Sequence, residues 1–119
     1  MKRDYRLYLE DMLEAMDKIE RYTRGLTFEQ FSGDDKTVDA VIRGFTILGE
    51  ATKNIPSTLR TRYPDVPWKD IAGMRDKLVH EYFGIRYEVL WETIKKRLPT
   101  LRSLIEAILK EMDEKAGQG

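Results

Sequence analysis

An all-α bundle is the fold class this sequence predicts, and three observations predict it. Apolar residues recur at steps of three and four through most of the 119 residues, and no stretch keeps the two-residue alternation of a strand. Helix punctuation falls between those periodic runs: Asp, Ser or Thr before them, Gly or Pro after them. The last run carries a heptad seam, the pattern of helices packed at a shallow angle. One domain is predicted over residues 1–113, and the tail EKAGQG, residues 114–119, is predicted to fray.

The elements follow in chain order. RDYRLYLEDMLEAMDKIERYTRG places Tyr5, Tyr8, Met12, Met16 and Ile19 at helical spacing, with acids on the other face. Arg24 and Gly25 mark its end, a cation in the last turn and then a glycine cap. Thr27 and Gln30 have the spacing of a capping box, so TFEQF predicts a short helix. From Asp35 to about Asn54, Val38, Val41, Ile42, Phe45 and Leu48 form an apolar face. Arg43, Thr46, Glu50 and Lys53 form a polar one, whose plainer reading is a solvated surface. Pro56 ends this helix, and Ser57 is expected to cap a short one stopped by Pro64. Pro67 suits the first turn of the next helix, where its missing N–H costs nothing. Trp68, Ile71, Met74, Leu78 and Tyr82 fall near one stripe, and Gly84 is the expected C-terminal cap. The final segment spaces Tyr87, Trp91, Ile94, Leu98, Leu101, Ile105, Ile108 and Met112 by alternate fours and threes. Pro99 lacks a backbone donor and crowds the preceding turn, so a kink or break is expected near Leu98.

Composition excludes several chemistries. Without cysteine the chain has no disulfide, thiolate metal site or cysteine nucleophile. One histidine makes a protein-only zinc site within one chain a poor expectation. No apolar run approaches the ~20 residues of a membrane span. The charged start MKRDYRLYLEDML does not resemble a signal peptide, so a soluble cytoplasmic protein with no membrane association is the expectation. Lys+Arg and Asp+Glu both number 21, for a formal charge of zero. A protein gripping duplex DNA by its phosphates is usually basic, so any nucleic-acid binding must come from a local patch or a dimer surface. Residues 75–102 carry such an excess, seven Lys/Arg against four acids.

The chemistry-bearing stretch is RDKLVHEYFG, which holds the sole histidine, His80, with Arg75 before it and Tyr82 after it. On an undistorted helix Arg75 and Tyr82 share a face, whereas His80 points ~140° away from Arg75 at ~100° per residue. The three meet only if the helix loosens near Gly84 or if two chains build the site. Histidine is suited to proton transfer near neutral pH, and arginine forks onto phosphate oxygens. Together they fit metal-independent RNA cleavage. A base takes the ribose 2′-OH proton, arginine stabilises the charge growing on phosphorus, and an acid protonates the leaving 5′-oxygen. That scheme wants both an acid and a base, and a two-fold dimer would supply two His80 and two Arg75. The plainer reading is chance spacing, with a histidine favoured near a helix C-terminus by the helix dipole and Tyr82 a core or interface residue.

Longer stretches carry a resemblance. RGFTILGEATKNIP, then YPDVPWKDIAGMRDKLVHEYFGI, then YEVLWETIKKRLPTL, resemble the HepT-like branch of the HEPN superfamily over residues 38–101. The shared features are Gly49–Glu50, the Pro67–Trp68 opening and the R-x-x-x-x-H-x-Y motif. The resemblance implies an up-and-down helical bundle that pairs as a two-fold homodimer, and a metal-independent endoribonuclease acting on RNA without a cofactor. It implies a toxin whose antitoxin is a minimal nucleotidyltransferase (MNT), able to transfer AMP from ATP onto the motif tyrosine. Carried over, Arg75 and His80 are the catalytic pair, Tyr82 the modification site, and Glu50 and Arg43 support the dimer cleft. Two alternatives stand beside it: a non-catalytic module that binds a nucleotide or partner, and a plain structural dimerisation bundle.

Overall fold

The first helix, α1 (Tyr5–Thr23), begins where the Asp4 carboxylate accepts the Arg6 N–H at 3.0 Å. It ends at Arg24 and Gly25, whose φ of 77° is the left-handed turn only glycine takes without cost. In this computed structural model residues 4–81 and 84–118 are described, and among them every regular element is helical. A two-way capping box opens α2 (Phe28–Ser32): Gln30 N–H donates to Thr27 Oγ1 at 3.1 Å, and Thr27 N–H to Gln30 Oε1 at 2.9 Å. Then come α3 (Asp35–Lys53), capped by Asp34, the short α4 (Ser57–Arg62), α5 (Trp68–His80), and α6 (Tyr87–Glu92). A π-helical turn (Thr93–Arg97) leads into α7 (Leu98–Gln118), which is helical through most of the tail expected to fray.

The core forms where α3 packs between α1 and α5, and where α7 packs on α1. Leu9, Met12, Met16 and Ile19 of α1 meet Val38, Val41, Phe45 and Leu48 of α3, and Ile94, Leu98, Leu101, Ile105 and Ile108 close the far side. Burial of each such side chain contributes about 1.5–3 kcal/mol. Gly44 permits the α1–α3 approach, since a Cβ there would stand 2.6 Å from Ile19 Cγ1. No helix among the described residues is long and apolar enough to cross a membrane.

Several details refine the sequence reading. The buried stripe of α1 runs through Leu9 and Ala15, while Tyr5 stays exposed on the first turn. Ser57 is the first helical residue of α4 rather than its cap; Pro56 holds that place, its carbonyl accepting from Leu59 and Arg60 N–H at 3.1 Å. Pro67 likewise precedes α5 instead of sitting in its first turn. Of the kink or break expected at Pro99, the structure shows an irregular turn and no break. The turn before it widens, Leu98 N–H reaches back to Thr93 C=O, and the helical path runs on from α6 to α7. A proline has no N–H to give its own i−4 carbonyl, and a π-turn absorbs the crowding of its ring.

α5 also stops early. Glu81, with φ −125° and ψ 39°, has left helical geometry, and its N–H closes the helix on Lys77 C=O at 2.8 Å. Gly84 is therefore not the cap, and it does not adopt positive φ.

Candidate active site

The site is built around a close approach of two helices. At Gly49, α3 carries no side chain, and an added Cβ would lie 2.2 Å from Arg75 Cβ and 3.1 Å from Ile71 C=O. Glycine thus lets α5 press on α3 at the level of Arg75. Glu50, the next residue, places Oε2 3.0 Å from Arg75 Nε. Nε itself is buried and makes no aligned hydrogen bond, so this contact is an ion pair without direction. Arg75 Nη1 donates to Asp76 Oδ1 at 3.1 Å, and the same oxygen accepts from Lys53 Nζ. Those bonds, from Lys53 first and Arg75 second, hold the Asp76 carboxyl below the usual range.

Glu50, Arg75, Asp76 and Lys53 thus form a strip of alternating charge across the α3–α5 seam. The Arg75 side chain keeps 25% of its surface exposed. It lies between two carboxylates, with an aligned bond to Asp76, and remains reachable, an arrangement that suits a cation able to meet phosphate oxygens. A phosphate arriving there competes with Glu50 and Asp76 for the guanidinium.

His80 is the last residue of α5, exposed, with no hydrogen bond or ion pair among the described residues. It continues the row Lys69, Gly73, Lys77 at steps of four, four and three, on the side of α5 turned away from Arg75. One chain therefore does not face His80 with Arg75. Glu50 joins Arg75, and Arg43 does not. Two helical turns earlier, about 10 Å along the axis, Arg43 lines a groove against α1 with Asp11, Glu14, Lys18 and Tyr22. Tyr82 lies outside the described residues, and the helical repeat that linked it to the Arg75 face ends at His80.

Sequence reasoning gave no role to Lys53, Asp76 or the glycine contact. The available signal was the order of charges: Glu50 then Lys53 one turn apart on α3, opposite Arg75 then Asp76 on α5. Among the described residues no group of three His, Asp or Glu stands together to hold a metal ion.

Comparison with known proteins adds an independent line. The profile of the family described as "Ribonuclease HepT-like" matches residues 12–108. A Thermococcus cleftensis protein named "Probable ribonuclease HepT" is 48% identical over 110 residues, covering 92% of this chain and 100% of the relative. A Methanocaldococcus jannaschii protein named "Putative RNase MJ0125" is 43% identical over 114 residues, covering 96% and 98%. A Caldanaerobacter subterraneus relative, "Putative RNase TTE0752", is 44% identical over 106 residues, covering 89% and 95%. No solved structure matches the chain at a significant level.

Proposed function

The chain belongs to the ribonuclease HepT-like family, and from that premise we propose that it is a metal-independent endoribonuclease of toxin type, active as a homodimer. The observation that carries the reading is the division of labour on α5. Arg75 is anchored on one side by Glu50 and Asp76, and His80 stands exposed at the helix end on another, unpartnered among the described residues. Two copies related by a two-fold axis bring each group what one copy lacks.

In that cleft one His80 accepts the 2′-OH proton as O2′ attacks the adjacent phosphorus. Arg75 stabilises the charge gathering on the phosphoryl oxygens. The P–O5′ bond breaks, the 5′-oxygen takes a proton from the second, protonated His80, and a 2′,3′-cyclic phosphate remains. Control falls to an MNT antitoxin that transfers AMP from ATP onto the hydroxyl of Tyr82, two residues beyond His80, with pyrophosphate leaving. The adenylyl phosphate adds a bulky anion beside the groups that must receive RNA.

The test is cleavage of a mixed RNA pool in EDTA by protein whose intact mass shows no AMP. Wild type is expected to cleave, and His80→Ala and Arg75→Ala to lose at least a hundredfold while remaining folded and dimeric. Binding of nucleotide or antitoxin without cleavage would replace this reading with a non-catalytic module.

A further inference from the structure

A second feature lies on the other side of α5. Between α5 and the α6–π-turn segment runs a groove of about 800 Å³, continuous with an apolar hollow of about 410 Å³ floored by Phe45, Leu48 and Leu101. The two share Asp70, Met74, Thr93, Lys96 and Arg97. Lys69, Lys77, Arg86, Lys96 and Arg97 line the larger groove against two acids, Asp70 and Glu92. Of the five cations only Lys96 has an ion pair among the described residues, with Glu92 at 2.9 Å.

Gly73, in the middle of α5, sits on the groove wall between Lys69 and Lys77. Gly44 and Gly49 have packing reasons to lack a side chain, whereas among the described residues nothing lies within 4 Å of a Cβ placed at Gly73. Mid-helix glycine is destabilising, and here no neighbour among the described residues requires it. A bare patch of helix between cations suits a ligand that comes against the backbone.

We propose that this groove is a track for the phosphates of single-stranded RNA, delivering the strand to His80, and that Gly73 is the place where the sugar–phosphate chain crosses α5. The Lys69, Gly73, Lys77 row ends at His80, so a strand along it arrives at the imidazole. The proposal rests on the ribonuclease reading for its substrate but not for its test.

The test is the binding of fluorescein-labelled single-stranded RNA by the full chain carrying His80→Ala, read by anisotropy across a salt series. Adding Lys77→Gln, Lys96→Gln and Arg97→Gln is expected to weaken binding at least tenfold. It should also reduce the slope of log K on log salt by about 2, at roughly 0.7 per lost phosphate contact. A distant set, Lys18→Gln, Lys110→Gln and Lys115→Gln, is expected to leave both unchanged. Gly73→Leu, which fills the groove without touching charge, is expected to weaken binding while the protein stays folded by circular dichroism. Parental affinity and slope in the groove triple variant would overturn the track. If wild-type chain cleaves while that triple variant binds normally, the track falls and the ribonuclease reading stands. If the groove governs binding and wild type never cleaves, the reverse holds.

Discussion

Arg75 owes its place to an atom that is absent. Because a Cβ at Gly49 would meet Arg75 Cβ at 2.2 Å, Gly49→Ala must push α5 off α3 or turn Arg75 away from Glu50. The expected cost is about 1–3 kcal/mol of stability, the range for overpacking a tight contact. Thermal denaturation would show it, and RNA cleavage is expected to fall further than the loss of folded protein explains. Asp76 offers a pH test. Its folded pKa is depressed by Lys53 and Arg75, so the pairing stabilises fully above the unfolded carboxyl value of about 3.9. The contribution is lost as pH falls through the lower folded value. Asp76→Asn should therefore be less stable than wild type at neutral pH, with the gap closing in acid; denaturant melts at a series of pH values check this. Reading the sequence singled out Arg75 from the motif and Glu50 as a supporting residue by resemblance, without pairing the two, and gave no role to Asp76 or Lys53. The strip is a contact between helices more than twenty residues apart, and periodicity within one helix carries no record of it.

At the scale of elements, α5 is held chiefly on α3, and its groove face is uncovered. Gly73→Ala removes a conformational liability where nothing crowds the new methyl, so it should stabilise the fold by about 0.5–1 kcal/mol. A rise in melting temperature would confirm it. The helices with strong apolar stripes, α1, α3 and α7, were legible from spacing alone, as was the capping box of α2. Less legible were the ends and irregularities. Gly84 signalled a cap, yet α5 closes at Glu81 on the Lys77 carbonyl, a choice made by backbone dihedrals. Pro99 signalled a kink or a break, and the chain meets it with a widened turn, with Ile94 inside the turn and Leu98 after it both buried.

Across the whole molecule, the first long helix and the last are clasped by charge. Arg102 of α7 reaches Asp17 at 2.5 Å and Glu20 at 2.9 Å on α1, with less than a quarter of its side chain exposed. Arg6 of α1 reaches Asp113 of α7 at 2.6 Å. Removing the inner clasp with Arg102→Ala is expected to cost about 1–2 kcal/mol, since it abandons charge-assisted bonds to two acids. Urea titration would report this as a lower midpoint. The zero formal charge of the chain hides an uneven distribution, with cations along the α5–α6 groove set apart from this α1–α7 clasp. One further consequence belongs to His80. It is the only imidazole in the chain, exposed at the end of α5, so its ring protons give a single resolvable resonance pair in an unlabelled NMR spectrum. The protein thereby carries its own spectroscopic reporter. One signal, followed through an RNA titration, records whether RNA reaches the imidazole.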